Sequence, residues 1–170
     1  MKWLWLSAVI IAIDQVTKYL ISQSLQLYES VSIFTGFNLT RVHNTGAAFS
    51  FLRDADGWQR WFFIALSSFI SIVIVFWLKN TQDHRRWLSC SLALLLGGAI
   101  GNLTDRVLFG YVIDFIDISL PFIPLQLFNP WPAFNVADSA ISIGVVMLIV
   151  DTFWFDRAFV STHAGKSVKT

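Results

Sequence analysis

Four runs of apolar residues, each about 20 long, dominate the chain, with segments of mixed polarity between them. They cover about Trp3 to Ile21, Trp61 to Leu78, Trp87 to Phe109 and Val136 to Phe155. A bilayer core about 30 Å thick takes roughly 20 apolar residues as helix, so each run predicts a transmembrane span. Aromatic residues at several run ends suit the interfacial belts of such helices. Lys2 ahead of the apolar stretch Trp3–Ile13 looks like the start of a cleavable leader. Asp14 and Lys18 interrupt that run and no Ala-x-Ala site follows, so it reads as a signal anchor.

The connections carry a second pattern. Residues 31–42 are partly alternating, β-branched and aromatic, which predicts a strand. All four prolines, Pro121, Pro124, Pro130 and Pro132, fall between the third and fourth runs. They exclude a regular helix there, yet the neighbouring Phe122, Ile123, Leu125, Leu127, Phe128 and Trp131 are apolar. Such a segment is expected to lie along a membrane surface.

Composition supports the bilayer as solvent. The 170 residues are 55% hydrophobic and 14% charged, with a mean hydropathy of +0.61. A soluble domain is about a quarter charged. Length predicts one domain, residues 1–170. The net charge of +1 comes without a basic run, so nucleic acid is not an expected partner. The lone Cys90 excludes an internal disulfide and reads as a small buried thiol. Basic residues set the orientation. Lys2, Lys79, Arg85, Arg86, Arg157, Lys166 and Lys169 lie in one set of short segments, and Arg41, Arg53 and Arg60 in the long 22–60 connection. This bias predicts cytoplasmic termini, a cytoplasmic 79–86 loop and 156–170 tail, and outer segments at 22–60 and 110–135.

Ionisable residues within spans are costly and mark candidate sites. At 1.5 Å per residue, Asp14 stands about 16 Å past Trp3 and Asn102 about 22 Å past Trp87, both toward the outer side. Asp105, Arg106, Asn135 and Asp138 share that layer, and Asp114 and Asn44 can reach it from the outer segments. Structural readings compete. Asp14 and Lys18, spaced i, i+4, can neutralise one another. Asp105 with Arg106 fits an ion pair. Asn135 or Asp138 can cap the fourth helix, which accounts for one of the two. Asp117 reads as a solvated loop residue, and Asp151 and Asp156 belong to the cytoplasmic end. Gly97, Gly98, Ala99 and Gly101 form a small-residue face suited to close helix packing. Gly46 fits a backbone shape closed to other residues.

The chemistry narrows by elimination. His-Glu-x-x-His and Gly-x-Ser-x-Gly are absent, and of the three histidines only His43 is on the side of the polar layer. Asp114 and Asp138 remain. Two close carboxylates share a proton, so one can activate water while the other protonates a carbonyl. Paired carboxylates also serve cation or proton transporters, and both readings stand on the residues alone. A transporter wants polar groups running on toward the cytoplasmic half, where Trp87–Leu96 offers only serines and Cys90.

Five blocks in order add a resemblance: Asp14-Gln15-x-x-Lys18, Asn44-x-Gly46-Ala47-Ala48-Phe49, Gly97-Gly98-Ala99-x-Gly101-Asn102-x-x-Asp105-Arg106, Val112-x-Asp114-Phe115 and Phe134-Asn135-x-Ala137-Asp138. Together they resemble the lipoprotein signal peptidases, or signal peptidase II. The resemblance implies an integral membrane all-α fold of four transmembrane helices, with a small extracytoplasmic β-structure and a lid-like outer segment. It implies an aspartyl endopeptidase of the bacterial inner membrane. Such an enzyme removes signal peptides from prolipoproteins, cutting before a cysteine that carries diacylglycerol. Asp114 and Asp138 match the catalytic aspartates. Asp14, Asn44, Asn102, Arg106 and Asn135 match residues that line or support the site, and Lys18, Gly46, Asp105 and Ala137 of the same blocks are expected to assist them. No metal or cofactor is implied. Expected partners are prolipoproteins and membrane phospholipid, with the enzyme a monomer. The stretch from Asp114 to Asp138 is longer and richer in proline than the family pattern, which bears on substrate preference.

Overall fold

The computed structural model describes residues 2–46, 57–82, 84–119 and 131–155. The chain order is helix α1 (Leu4–Ser24), strands β1 (Ser30–Phe34) and β2 (Phe37–Asn44), helices α2 (Trp58–Asn80) and α3 (Arg86–Leu108), strand β3 (Val112–Ile118) and helix α4 (Val136–Val150), which continues as a π-helical turn over Asp151–Phe155. Among the described residues four helices are long and apolar enough to cross a membrane, with mean hydropathies between 1.4 and 2.4. The expected spans at 3–21, 61–78 and 87–109 each match a helix within a turn. In the fourth, expected over 136–155, the regular helix ends at Val150.

α3 is the hub. Of its most apolar window 61% is buried, against 17–22% for the other three, so they face lipid and it faces them. Glycines make this possible. A Cβ at Gly97 would stand 2.8 Å from the Ile10 side chain of α1, and one at Gly98 would run into the Ala137 carbonyl of α4. The small-residue face therefore seats two helices, as expected. α2 packs against the other half of α3, where Ile74 and Leu78 meet Leu88, Leu92 and Leu96.

The predicted single strand at 31–42 is two strands. Gly36 sits at φ +88, and a Cβ there would lie 2.8 Å from the Ser119 carbonyl, so only glycine fits the turn that separates them. β3 was not predicted. It pairs antiparallel with β2, giving the order β1-β2-β3. Asp117 therefore lies in a strand, not a loop, and accepts from Asn38 Nδ2 at 3.2 Å. Arg41 of β2 ties the sheet to α1, donating from Nη1 to the Ser22 and Leu25 carbonyls that the helix end leaves unpaired. Residues 120–130 of the expected outer segment 110–135, residues 47–49 and the 156–170 tail lie outside the described residues.

Candidate active site

At the end of α1, α3 and the start of α4, the sheet closes over a layer of polar side chains. β2 and β3 deliver the first pair. Asn44 pairs with Val112 in register and Val42 with Asp114, so Asn44 and Asp114 lie on one face of the sheet as diagonal neighbours. Asn44 Nδ2 donates to Asp114 Oδ2 at 2.9 Å. The other oxygen, Oδ1, accepts from Asn135 Nδ2 at 2.8 Å.

Asn135 is the joint of the site. It is the N-cap of α4, and its side chain accepts from Asp138 N at 2.9 Å while its own N–H donates to Asp138 Oδ2 at 3.2 Å. This reciprocal capping box uses both residues, correcting the expectation that capping accounts for one of them. One asparagine thus holds Asp114 by its amide and Asp138 by its backbone. Asp138 Oδ1 accepts from Asn102 Nδ2 at 2.7 Å. Asn102 Oδ1 receives Lys18 Nζ at 3.0 Å and Asn135 Nδ2 at 3.1 Å, so its amide can turn only its NH₂ toward Asp138.

Beneath this lies a buried charge cluster. Lys18 contacts Asp14 at 2.8 Å and Asp105 at 2.9 Å, with all three side chains at most 2% exposed. The i, i+4 pairing of Asp14 and Lys18 is as expected. Asp105 is not: its ion partner is Lys18, and Arg106 points elsewhere, donating to the Gly46 carbonyl at 3.0 Å with its guanidinium 4.9 Å above the Phe63 ring. Adjacent helical residues face different ways, which separates Asp105 from Arg106. Gly46 N in turn donates to Asn44 Oδ1 at 3.0 Å, so Arg106 helps fix the residue that holds Asp114. Asp14 Oδ1 accepts from Ala137 N at 2.9 Å, and Asp105 Oδ2 from Ile113 N at 3.1 Å. These two bonds fasten α4 and β3 to the cluster. Ala137 must be small, because it is fully buried where Gly98 and Gly101 let α4 approach.

Gln15 belongs in this set and sequence reasoning passed it over. Its Nε2 donates to Asp105 Oδ1 at 2.8 Å and stands 3.2 Å from both Asp14 Oδ2 and the Gly101 carbonyl. Its place beside Asp14 in the first motif block was the available signal. His43, next to Asn44, stacks on Tyr111 with ring centroids 3.8 Å apart, and burial and then Arg41 hold its imidazole below the usual range.

Asp114 is 2% exposed, and its carboxyl is pushed up to about 7 from an ordinary 3.8. Burial is the first cause and the charge of Asp138 the second; hydrogen bonds from Asn44 and Asn135 and the charge of Lys18 oppose them. Asp138 is less deeply buried than Asp114. Among the described residues no group of three His, Cys, Asp or Glu side chains is set to hold a metal ion.

The geometry offers a neutral acid beside a second carboxylate, both clamped by amides. Known proteins resemble the chain over most of its length. A lipoprotein signal peptidase of Psychromonas ingrahamii is 50% identical over 158 residues, covering 93% of this chain and 88% of that one. Another, of Pseudomonas syringae pv. tomato, is 49% identical over 156 residues, covering 90% and 86%. Two solved bacterial membrane enzymes superpose with TM-scores of 0.77 and 0.75, at 32% and 30% identity. They cover 89% and 90% of this chain, and 90% and 93% of their own. With the family model for signal peptidase (SPase) II matching residues 6–154, this chain belongs to the signal peptidase II family, a family of peptidases in bacterial membranes.

Proposed function

We propose that the chain is an aspartyl endopeptidase in which Asp114 and Asp138 are the catalytic pair, and that it cuts prolipoproteins before a cysteine bearing diacylglycerol. The observation that carries this reading is the shared asparagine. Residues from β3 and α4, 24 positions apart, are bound to one side chain and one backbone N–H of Asn135. Asp114 keeps a proton to about pH 7, which supports Asp114 as the acid of the pair and leaves the part of the base to Asp138.

Chemistry follows from that division. Asp138 takes a proton from water as the water oxygen bonds to the scissile carbonyl carbon. The Asp114 proton passes to the carbonyl oxygen, giving a tetrahedral diol. Return of a proton from Asp138 to the nitrogen breaks the C–N bond and frees the amine of the cysteine, while Asp114 recovers its proton as the new carboxyl forms. Asn44 and Asn135 hold Asp114 in place, and Asn102 holds Asp138. Lys18, Asp14, Asp105, Gln15, Arg106, Gly46 and Ala137 act through these, as positioning residues.

The pair lies at the bundle end away from Lys79, Arg85 and Arg86, which supports an outer active site and cytoplasmic termini in the inner membrane. A substrate whose acyl chains stay in the outer leaflet suits that depth. One copy supplies every residue of the site, which supports a monomer. The transporter reading gains nothing: in the opposite half Ser7 Oγ donates to the Ala93 carbonyl and Ser91 Oγ to the Gly144 carbonyl, so these hydroxyls fasten helices.

The test gives purified protein a lipidated prolipoprotein and follows its size on a gel. Asp114→Asn and Asp138→Asn should each slow cleavage by about 1,000-fold or more while the fold persists. Cleavage by either variant at the normal rate would refute the pair. An unlipidated precursor should remain uncut, and its equal cleavage would remove the lipid requirement.

A further inference from the structure

At the bundle end opposite the carboxylate pair, the end of α2, the start of α3 and the turn after α4 enclose an open cavity of about 580 Å³. Arg85, Arg86 and His84 line it together with Trp77 and Trp87. Among the described residues that line it the one acid is Asp151, which is 4% exposed and is held by Arg85 Nη2 at 2.6 Å. The Trp87 indole N–H donates to the Met147 carbonyl at 2.8 Å. A guanidinium and an indole are therefore fixed in place by the protein itself. Once Arg85 and Asp151 offset each other, Lys79 at the end of α2 and Arg86 at the start of α3 leave the described part of this region cationic.

Two features say what chemistry this suits. Tryptophans at a helix end mark the headgroup level of a bilayer, and Trp77 and Trp87 keep 44% and 42% of their surface exposed there. On α2 the exposed Phe69, Val73 and Phe76 follow one helical stripe that ends beside the cavity rim at Asn80. A planar guanidinium matches the paired oxygens of a phosphate. We propose that this cavity binds the phosphodiester headgroup of an anionic phospholipid, with its phosphate on Arg85 and Arg86 and its acyl chains along the α2 stripe. The bound lipid bridges the ends of α2 and α4, which no hydrogen bond joins among the described residues.

The experiment is native mass spectrometry of the full chain in detergent, titrated with dioctanoyl phosphatidylglycerol or dioctanoyl phosphatidylcholine. One phosphatidylglycerol should stay bound, about tenfold more tightly than phosphatidylcholine. Arg86→Gln should weaken it about tenfold, as should the charge-neutral double variant Arg85→Met with Asp151→Asn, which leaves no buried carboxylate unpaired. Lys79→Gln removes the same charge outside the cavity lining and should change binding by less than about threefold. Equal loss in Lys79→Gln and Arg86→Gln would reduce the effect to diffuse surface charge and overturn the site. Equal binding of the two lipids would do the same. Displacement of the lipid by inorganic phosphate at matching concentration would assign the site to free phosphate instead.

Discussion

The carboxyl of Asp114 offers a quantitative test, because its proton is set by surroundings that can be changed one at a time. Raising it from 3.8 to about 7 corresponds to about 4 kcal/mol in favour of the neutral acid. If that proton is the one delivered to the carbonyl oxygen, kcat/KM falls as pH rises through about 7, by about tenfold between about pH 6 and pH 8. The perturbation is Asn44→Ala. Asn44 Nδ2, 2.9 Å from Asp114 Oδ2, favours the carboxylate, and a hydrogen bond to a charged group contributes about 1.5–3 kcal/mol. Removing it lets burial dominate further, so the falling limb moves to higher pH by about one unit. The assay is initial-rate cleavage of a fluorogenic lipopeptide in detergent across that range. Only the position of the limb matters, so a lower absolute rate does not obscure the result. A limb that stays in place, or moves to lower pH, would refute the assignment of the acid to Asp114. Stability carries the same sign. An unfolded Asp114 ionises near 3.8 and the folded one near 7, so its contribution is full below about pH 4 and is lost as pH rises toward 7.

Asp138→Asn removes the anion that helps hold the Asp114 proton, so the infrared carbonyl band of protonated Asp114 should vanish at a lower pH than in the parent protein. Lys18→Met leaves Asp14 and Asp105 buried without their cation and should cost about 3–5 kcal/mol, read by thermal unfolding in detergent. Gly98→Ala drives a methyl into the Ala137 carbonyl and within 2.6 Å of Ile141 Cγ1, forcing α3 and α4 apart. A loss of about 1–3 kcal/mol should accompany a fall in kcat, because the Asn102–Asp138 bond spans that interface; unchanged stability would show that the helices yield without strain.

Sequence made the spans legible because a bilayer demands long apolar runs and tolerates few interruptions, so Asp14, Asn102 and Asp105 stood out against their own helices. Turns and strands were harder. β3 is buried on both faces from Val112 to Phe115, so it lacks the alternation that marks a half-exposed strand. Thr35-Gly36 was the signal for the hairpin turn, hidden inside a run that reads as continuous strand. Partnerships across the fold were hidden for another reason. Lys18 meets Asp105 and Gln15 meets Gly101 only because the glycines of α3 admit α1, and such pairings carry no mark in local sequence. The double duty of Asn135 and Asp138, as helix cap and site, follows from placing the acid in the first turn of α4.

The position of α2 has a consequence for motion. The polar layer is assembled from α1, α3, α4 and the sheet, and α2 is fastened to α3 by Arg60, whose Nε and Nη2 reach the Arg106 and Val107 carbonyls at 3.0 and 2.9 Å. Its flank toward α4 carries no such clasp among the described residues. Any widening between those two columns would therefore leave untouched the frame that aims the reactive acids.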